Sequence, residues 1–482
     1  MRSCLRRYIF IAAFFIVLGF FLQEDEEENT EGRVSVEIWT SASALTPVCP
    51  QKHKKTVVRQ MVREQFNSEV KNHLEAFKEM QKTPPGLQQA SYKLLAGAPP
   101  PEKKLLTVGI SSIQHPHRSH LLDTLHSLFQ ATSDPELAHI IVLVHLSDPD
   151  PERLHRAAAN ISGPFAPHLE SRRLLVVSGL LGDSPLPRPL TPSQSSPCEA
   201  LRSRQREGQA LLMNFASELS EYFLLLEDNT RCAPRFVSAI YWTLAAWREL
   251  RWVVLEFSSL GSGQVLHSRD LSRFTSFCLL FPEDAPTHLL LSKFRLLLAQ
   301  TVPIRFGVSL FHHMGNRSQL EDACFPVEED RVFGEADNPA AVVRTDMLSL
   351  LHIGPQYAYV LNEEYYSTLD PVEGNHLTVI LDSPQRVIRV AVLTGTLEQG
   401  LYRLHQGQVL LGSEPLGDSW GCARYTLLGP LVGGNLDQRV FYEEGAVEQL
   451  SCIQLLVLES QESWLLIKQI KVWTESEEEE ES

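Results

Sequence analysis

Two carboxylates and an amide follow an apolar run near the middle of the chain. Residues 222–226 are one tyrosine, one phenylalanine and three leucines, and Glu227, Asp228 and Asn229 come directly after them. An apolar run of this length predicts a strand that is buried on both faces, as in a parallel sheet. Ligands of open α/β sheets bind at the carboxyl ends of such strands, where a metal ion or a phosphate is held. The alternative is that Asp228 or Asn229 only caps the helix that follows.

The segments around this run alternate between strand-like and helix-like patterns. Strand-like apolar runs stand at 105–110, 139–145, 174–177 and 252–257. Helix-like segments stand at 119–129, 151–159, 200–220 and 236–249. Such alternation predicts parallel strands with helices on both faces of one sheet. The sequence therefore predicts an α/β domain with acidic residues at one end of its sheet.

The composition limits the partners of the protein. The chain has 482 residues, enough for two or three domains, and 43% of them are hydrophobic, which allows a sizeable core. Its net charge is −16, from 43 basic and 59 acidic residues. A nucleic-acid partner needs a basic face, so this balance argues against one. Part of the negative charge lies in a cluster at 24–28 and in an acidic tail at 475–482.

The N-terminal residues have the pattern of a membrane anchor. Arg2, Arg6 and Arg7 precede an uncharged, largely apolar run at 8–22. Basic flanking residues stay cytoplasmic, so we predict a cytoplasmic tail at 1–7, a transmembrane signal anchor at 8–22 and a lumenal remainder. A cleaved signal peptide is the alternative, but the run ends in Gly-Phe-Phe-Leu rather than in the small residues of a cleavage site. Residues 23–103 are predicted to form a stem with an amphipathic helix.

A lumenal location makes disulfides and N-glycans available to the chain. Seven cysteines follow the predicted anchor, so at least one is free or pairs between chains. Two Asn-X-Ser sequences make Asn160 and Asn316 predicted N-glycan acceptors.

The pattern of predicted secondary structure changes from about residue 340. Short strand-like runs recur between residues 376 and 472, separated by turns that contain Gly, Pro or Ser. Regularly spaced short strands predict a separate β-sandwich domain of about 130 residues. Cys422 and Cys452 are candidates for a disulfide within it.

Several long motifs, in the same order, resemble those of the N-acetylglucosaminyltransferase IV family. These are Golgi enzymes that add a β1,4-linked GlcNAc to the core α1,3-mannose of N-glycans. Residues 106–110 and 122–128 resemble the start of the family's catalytic domain, and residues 255–261 resemble its second signature. Residues 304–315 resemble a third signature, and the sequence from Asp337 onward resembles the family's lectin-like domain. The resemblance covers residues 104–474.

The resemblance implies a GT-A-type nucleotide-sugar-binding domain at 104–336 and a lectin-like β-sandwich domain at 337–474. It implies inverting transfer of GlcNAc from a UDP-GlcNAc donor to an N-glycoprotein acceptor, with Mn²⁺ as the divalent ion. A cation is needed because UDP leaves as a charged group that has to be neutralised. The implied location is the Golgi membrane, as a single-pass type II protein, with other glycosyltransferases as candidate partners.

The family's Leu-Glu-Asp-Asp motif corresponds to residues 226–229 of this chain. By resemblance, Glu227 and Asp228 bind the donor, and the last position of the motif is a metal ligand. That position is Asn229 here, whose amide oxygen can coordinate a metal but carries no charge. The resemblance therefore implies weaker metal binding.

A second donor-side pattern of the family is kept only in part. Arg202 and Gln205 match it and are implied to bind the donor, but its final aspartate is Gly208 in this chain. The family's Tyr-Tyr-Pro-Asp-Leu segment has no counterpart after Ser178. These departures cluster on donor and metal binding.

His313 matches a histidine that can help to hold the metal or the diphosphate, and the alternative is a histidine that only packs at a strand end. Glu256 is the predicted acceptor-side base, because inverting transfer needs a carboxylate near the acceptor hydroxyl. The alternative for Glu256 is a structural carboxylate bonded to backbone amides. Two hypotheses follow: a transferase, with weakened activity, or a catalytically inactive relative that binds glycans or regulates active N-acetylglucosaminyltransferases.

Overall fold

The computed structural model describes residues 85–113, 120–148, 150–182, 197–258, 262–280, 287–314, 333–350, 353–396, 400–417, 420–443 and 449–475. The predicted anchor at 8–22, the predicted stem up to residue 84, and Asn316 lie outside these residues. Within them, no helix is both long enough and apolar enough to cross a membrane. The exposed Asn160 is near the end of a helix.

The first folded region contains one large sheet covered by helices. In chain order its elements are α1 (Pro85–Gln88), β1 (Ser91–Ala96), β2 (Lys104–Ile113), α2 (Leu121–Gln130), α3 (Asp134–Leu137), β3 (Ile140–Ser147), α4 (Pro151–Ser162), α5 (Ala166–Glu170), β4 (Leu174–Leu180), α6 (Pro197–Ala216), β5 (Ser220–Leu226), β6 (Thr230–Cys232), α7 (Phe236–Ala246), β7 (Val254–Glu256), β8 (Gln264–His267), α8 (Ser268–Leu280), α9 (Thr287–Leu297), β9 (Ile304–Arg305) and β10 (Phe311–His313). The sheet has the strand order β1-β4-β3-β2-β5-β8-β7-β9, and β10 pairs separately with β6.

The centre of this sheet is parallel, as the alternating pattern predicts. Strand β2 runs parallel to β3 and to β5, and β3 runs parallel to β4. Two strands depart from the all-parallel expectation: β1 is antiparallel to β4, and β8 is antiparallel to both β5 and β7. The sheet is therefore mixed, with a parallel centre that brings the ends of β2, β3 and β5 to one edge.

Alternate residues of β5 face two separate hydrophobic cores, as the two-residue period of a strand requires. Leu224 and Leu226 belong to the core that α2 and α7 cover, whereas Phe223 and Leu225 belong to the core beneath α6, α8 and α9. We call these the α2 face and the α6 face of the sheet. All four of these side chains are almost completely buried, so the run is buried on both faces, as predicted.

The second folded region consists of two sheets around one hydrophobic core. Its elements are β11 (Ala341–Thr345), a 3₁₀ helix (Pro355–Ala358), β12 (Tyr366–Leu369), β13 (His376–Gln385), β14 (Val387–Thr394), β15 (Gly407–Pro415), β16 (Cys422–Pro430), β17 (Asn435–Arg439), β18 (Leu450–Val457) and β19 (Trp464–Thr474). The sheet orders are β11-β13-β18-β15-β16 and β12-β19-β14-β17. This arrangement is a β-sandwich, and a disulfide joins Cys422 to Cys452 within it.

The two regions meet at the edge of the large sheet. Phe306, just beyond β9, forms an antiparallel bridge with Gln438 of β17, and the Gly307 backbone N–H donates to the Asp437 carbonyl at 2.9 Å. A Cβ on Gly307 would collide with the Asp437 carboxylate, so a side chain at this position would have to displace the Arg389–Asp437 ion pair. The sandwich thus covers the β9 edge of the sheet.

Candidate functional site

The first part of the site is the carboxyl end of β5 and the adjoining end of β2. Asp228 accepts a hydrogen bond on Oδ2 from the Ser112 hydroxyl at 2.6 Å. Its backbone carbonyl accepts from Thr124 Oγ1 at 2.7 Å, and the same Oγ1 accepts from the Thr230 N–H at 3.0 Å. One hydroxyl of α2 therefore fixes the chain on both sides of the acidic turn. The acidic stretch is not a simple helix cap, because β6 follows it.

The second part of the site joins Glu227, Asn229 and His313. Strand β10 pairs with β6 so that His313 lies opposite Thr230. This register places His313 Nδ1 3.1 Å from Asn229 Oδ1 and 3.5 Å from Glu227 Oε2. The backbone N–H of Met314 donates to the Asn229 carbonyl at 2.8 Å, which locks the two segments together. The structure thus brings together three of the residues that the sequence singles out.

The hydrogen bonding of His313 bears on metal binding. The neighbours of its Nδ1 are the Asn229 amide oxygen and the Glu227 carboxylate, and in the tautomer that donates from Nδ1 this nitrogen has no lone pair for a metal ion. The described residues contain no group of three or more His, Cys, Asp or Glu side chains that could hold a metal ion. A carboxylate and an amide oxygen are still ligands of the type that a hard divalent ion takes. The donor set therefore fits Mn²⁺ in type, with one negative charge fewer than an aspartate at position 229 would give.

Arg202 and Gln205 lie on helix α6, three residues apart on one side of it. Gly208 is the next position on that side and packs on the ends of β2 and β3. A Cβ at position 208 would lie 2.7 Å from Ser111 Oγ and 3.0 Å from Ser147 Oγ. The small residue lets helix α6 approach the sheet closely, so the helix lies next to the ends of β2 and β3.

A buried polar group lies beneath Gly208. His145 is fully buried, and burial lowers its pKa from 6.5 to about 4. Its Nε2 and the Ser111 hydroxyl have no hydrogen-bond partner within the part of the chain that the structure describes. Unpartnered buried polar atoms are uncommon and costly. They surround the position where the family's pattern has an aspartate and this chain has glycine.

The structure places Glu256 in an ion pair with Arg305. Its Oε2 accepts from Arg305 Nε at 2.7 Å, and both side chains are largely buried. Glu256 pairs with Gln264, which pairs with Leu225, so its side chain points to the α6 face. The Asp228 partner Ser112 points to the other face, two residues beyond the α2-face Ile110. The structural alternative for Glu256 therefore has a guanidinium partner instead of backbone amides.

A cleft on the α2 face adjoins the cluster. It has a volume of about 900 Å³ and lies between α2 and the β6–β10 pair. Its polar lining consists mainly of Asp123, His126, Gln130, Arg231, His312 and His313. We call it the α2 cleft. It shares His313 with the cluster, so a molecule in the cleft would lie next to the histidine that contacts Glu227 and Asn229.

Sequence reasoning missed the hydroxyl groups that hold the acidic turn. Ser112, Thr124 and Ser262 contact it, the last by accepting from the Glu227 N–H at 3.2 Å. The only available signal was that Ser112 and Thr124 fall in or beside segments with family-like motifs.

The family follows from comparison with known proteins. Residues 68–332 match the family described as the MGAT4 conserved region. The chain belongs to the N-acetylglucosaminyltransferase IV (MGAT4) family. It is 38% identical over 395 residues to the alpha-1,6-mannosyl-glycoprotein 4-beta-N-acetylglucosaminyltransferase of Gallus gallus, covering 80% of this chain and 85% of that protein.

Two other MGAT4 relatives show similar values. The alpha-1,3-mannosyl-glycoprotein 4-beta-N-acetylglucosaminyltransferase-like protein MGAT4E of Mus musculus is 37% identical over 393 residues, which cover 80% of this chain and 87% of that protein. The alpha-1,3-mannosyl-glycoprotein 4-beta-N-acetylglucosaminyltransferase C of Macaca fascicularis is 32% identical over 432 residues, covering 87% and 89%. Similarity thus spans most of this MGAT4 family member.

Solved structures similar to this MGAT4 family member include sugar-binding modules. The lectin binding domain of Lectinolysin, in a His 62 mutant complexed with Lewis b, covers 30% of this chain and 99% of its own, with a TM-score of 0.24 and 14% identity. A Streptococcus pneumoniae fucose binding module covers 31% and 99%, with a TM-score of 0.23 and 15% identity. We draw no functional conclusion from TM-scores of this size.

Proposed function

We propose that this protein takes part in the transfer of N-acetylglucosamine from UDP-GlcNAc to core mannose residues of N-linked glycans. The observation that carries the proposal is the convergence of Glu227, Asn229 and His313 at the carboxyl end of β5, beside an open cleft. Membership of the MGAT4 family and the printed activities of its relatives support it. The acceptor is an N-glycoprotein, and the location is the Golgi membrane in a single-pass type II topology.

In this proposal residues 104–336 form the GT-A-type donor-binding domain and residues 337–474 the lectin-like domain. The parallel centre of the sheet supports the first assignment, because its strand ends carry the acidic turn. The two-sheet sandwich supports the second. Residues 8–22 form the membrane anchor and residues 23–103 the stem, whose strand β1 joins the edge of the sheet.

The residues of the chain have distinct tasks in this function. Glu227, Asn229 and a His313 that has lost its Nδ1 proton would hold a Mn²⁺ ion, which when bound neutralises the diphosphate of the donor. Asp228, which accepts a hydrogen bond from Ser112, would accept further hydrogen bonds from the donor. Arg202 and Gln205 supply a positive charge and an amide on the donor side. The amide at 229 lowers the affinity for the ion because ligand charge tunes divalent-cation binding.

The test is titration calorimetry of Mn²⁺ and UDP-GlcNAc on the full chain and on Asn229→Asp. We expect weak binding to the parent and at least about tenfold tighter Mn²⁺ binding to the variant, because the added carboxylate restores a charged ligand. Asn362→Asp adds the same charge at an exposed turn of the sandwich and serves as the control. If neither the parent nor Asn229→Asp binds UDP-GlcNAc in the presence of Mn²⁺, the proposed function is refuted.

A second candidate is a catalytically inactive relative that binds glycans or regulates active N-acetylglucosaminyltransferases. The hydrogen bond between His313 and Asn229 favours it, because the two side chains that are predicted to hold the metal bond to each other instead. Transfer assays distinguish the two candidates. Transfer by the parent supports the first candidate, whereas transfer that appears only in Asn229→Asp supports the second.

A further inference from the structure

The α2 cleft contains ionisable groups that the proposed donor site does not use. Asp123 and His126 come from α2, and Arg231 and His312 come from the β6–β10 pair. The His126 ring packs against Phe165 with centroids 4.7 Å apart, which holds it at the wall of the cleft. Asp123 is the single carboxylate that lines the cleft within the described residues.

The position of Asp123 is fixed relative to the acidic turn. Its neighbour Thr124 is the residue that bonds both the Asp228 carbonyl, at 2.7 Å, and the Thr230 N–H, at 3.0 Å. The side chain of Asp123 itself is 68% exposed, and its Oδ2 lies 4.0 Å from Nδ1 of His120, the residue before the helix. A carboxylate is thus held at a set place beside the site and remains accessible to a molecule in the cleft.

Within the part of the chain that the structure describes, the other carboxylates predicted for the site already have partners. Glu256 lies on the α6 face in an ion pair with Arg305. Glu227 and Asp228 are engaged with His313 and Ser112 at the donor end. A carboxylate on the α2 face is therefore the remaining choice among the described residues that line the cleft.

We infer that Asp123 is the catalytic base for the acceptor hydroxyl and that the α2 cleft binds the acceptor saccharide. This inference rests on the proposed function and deepens it. The acceptor O–H loses its proton to the Asp123 carboxylate, and the oxygen forms a bond to C1 of GlcNAc. The bond between C1 and the diphosphate oxygen breaks with its electron pair on UDP, and the proton remains on Asp123.

A structural explanation of Asp123 makes a different prediction. A carboxylate in the first turn of α2 stabilises the helix through its dipole, whether or not a substrate binds. Glu152 occupies the equivalent first turn of α4 and does not line the α2 cleft, so Glu152→Gln is the matched control. A helix-stabilising role lowers the melting temperature of both variants alike and leaves the pH dependence of transfer unchanged.

The experiment compares Asp123→Asn and Glu152→Gln in the full chain, in the parent and in Asn229→Asp backgrounds. Acceptors are glycopeptides with N-glycan cores, with and without GlcNAc on the core mannoses. We expect Asp123→Asn to lower kcat by about 10²-fold or more and to remove the acidic limb of the pH–rate profile. UDP-GlcNAc affinity, measured by calorimetry, should change less than about twofold, because a base acts on the acceptor.

Each other outcome is decisive. Transfer by Asp123→Asn within about threefold of its background overturns the inference, as does an acidic limb that disappears in His126→Gln or His312→Gln instead. If the parent and Asn229→Asp bind UDP-GlcNAc but neither transfers GlcNAc, the inference is overturned. The donor site of the proposed function then still stands. Absence of UDP-GlcNAc binding in both backgrounds refutes the proposed function itself, and the inference with it.

Discussion

Replacing Glu256 by glutamine separates the two interpretations of this residue. Its side chain is 9% exposed, and its Oε2 lies 2.7 Å from Arg305 Nε. Burial lowers the pKa of Arg295, and Glu256 opposes that shift, so a second guanidinium also depends on its charge. Glu256→Gln removes the negative charge that both guanidinium groups face in a largely buried place. We expect the substitution to lower the free energy of unfolding, and not only the rate of transfer.

The magnitude follows from burial. Breaking a buried ion pair by removing one partner costs about 3–5 kcal/mol. The Arg305 side chain is 19% exposed, and its Cζ lies 5.2 Å from the ring centroid of Phe441 in the sandwich. The guanidinium is therefore still partly hydrated. We therefore expect a loss of about 2–3 kcal/mol. A substitution of this kind also weakens the contact between the sheet and the sandwich, because Arg305 belongs to both.

Urea denaturation, followed by circular dichroism, measures this loss. A double-mutant cycle with Arg305→Met should give a coupling energy of at least about 1 kcal/mol, since the two side chains touch. Glu414→Gln is the control: its pair with Arg424 is exposed, and its removal should change stability by less than about 0.5 kcal/mol. If Glu256→Gln keeps the parent's stability and abolishes transfer, the ion-pair explanation is refuted and Glu256 is the base.

Three further predictions concern the buried polar group, the disulfide and acid stability. Gly208→Asp places a carboxylate beside His145, so the pKa of that imidazole should rise above its value of about 4, as measured by NMR titration. Removing the Cys422–Cys452 bridge, whose cysteines are 30 residues apart, should cost about 3.5 kcal/mol in denaturation experiments, because the unfolded chain gains entropy. Burial lowers the pKa of both His145 and His267 from 6.5 to about 4, so the unfolded chain takes up protons first as the pH falls. Stability is therefore full above pH 6.5 and falls between pH 6.5 and 4, by about 3 kcal/mol for the deeply buried His145.

Each of these predictions has a clear contrary result. An unchanged pKa of His145 in Gly208→Asp means that the carboxylate points away from the imidazole. A sandwich that denatures identically with and without the bridge contradicts the entropic account of the disulfide. Stability that is flat from pH 6.5 to 4, or unchanged in slope when His145 is replaced by glutamine, contradicts the linkage argument.

The fold was largely predictable where strands are apolar and buried. Strands β3 and β5 are continuous apolar runs, and their parallel pairing around β2 followed from the alternating pattern. Strand β8 was missed because its four residues carry too little pattern, and β1 because half of its residues are exposed. Antiparallel pairing of β8 depends on long-range register, which no local pattern encodes.

The site was predictable in position but not in detail. The end of β5 was identified from an apolar run followed by acids, and His313 only from the family resemblance. The hydroxyl groups of Ser112 and Thr124 have no local signal, since each is an ordinary residue of its strand or helix. The face of Glu256 depends on its register with Gln264, which only the three-dimensional pairing reveals.

The junction between β9 and β17 sets the geometry of any two-point contact with a branched glycan. Main-chain hydrogen bonds and the close approach of Gly307 to Asp437 hold the sandwich against the sheet. With a flexible tether, the effective concentration of a second binding event falls gradually as the spacing changes. Here the spacing is fixed, so a ligand that engages both regions at once must match one distance and one orientation. The junction would then select glycans by the reach of their branches, independently of which sugar either region recognises.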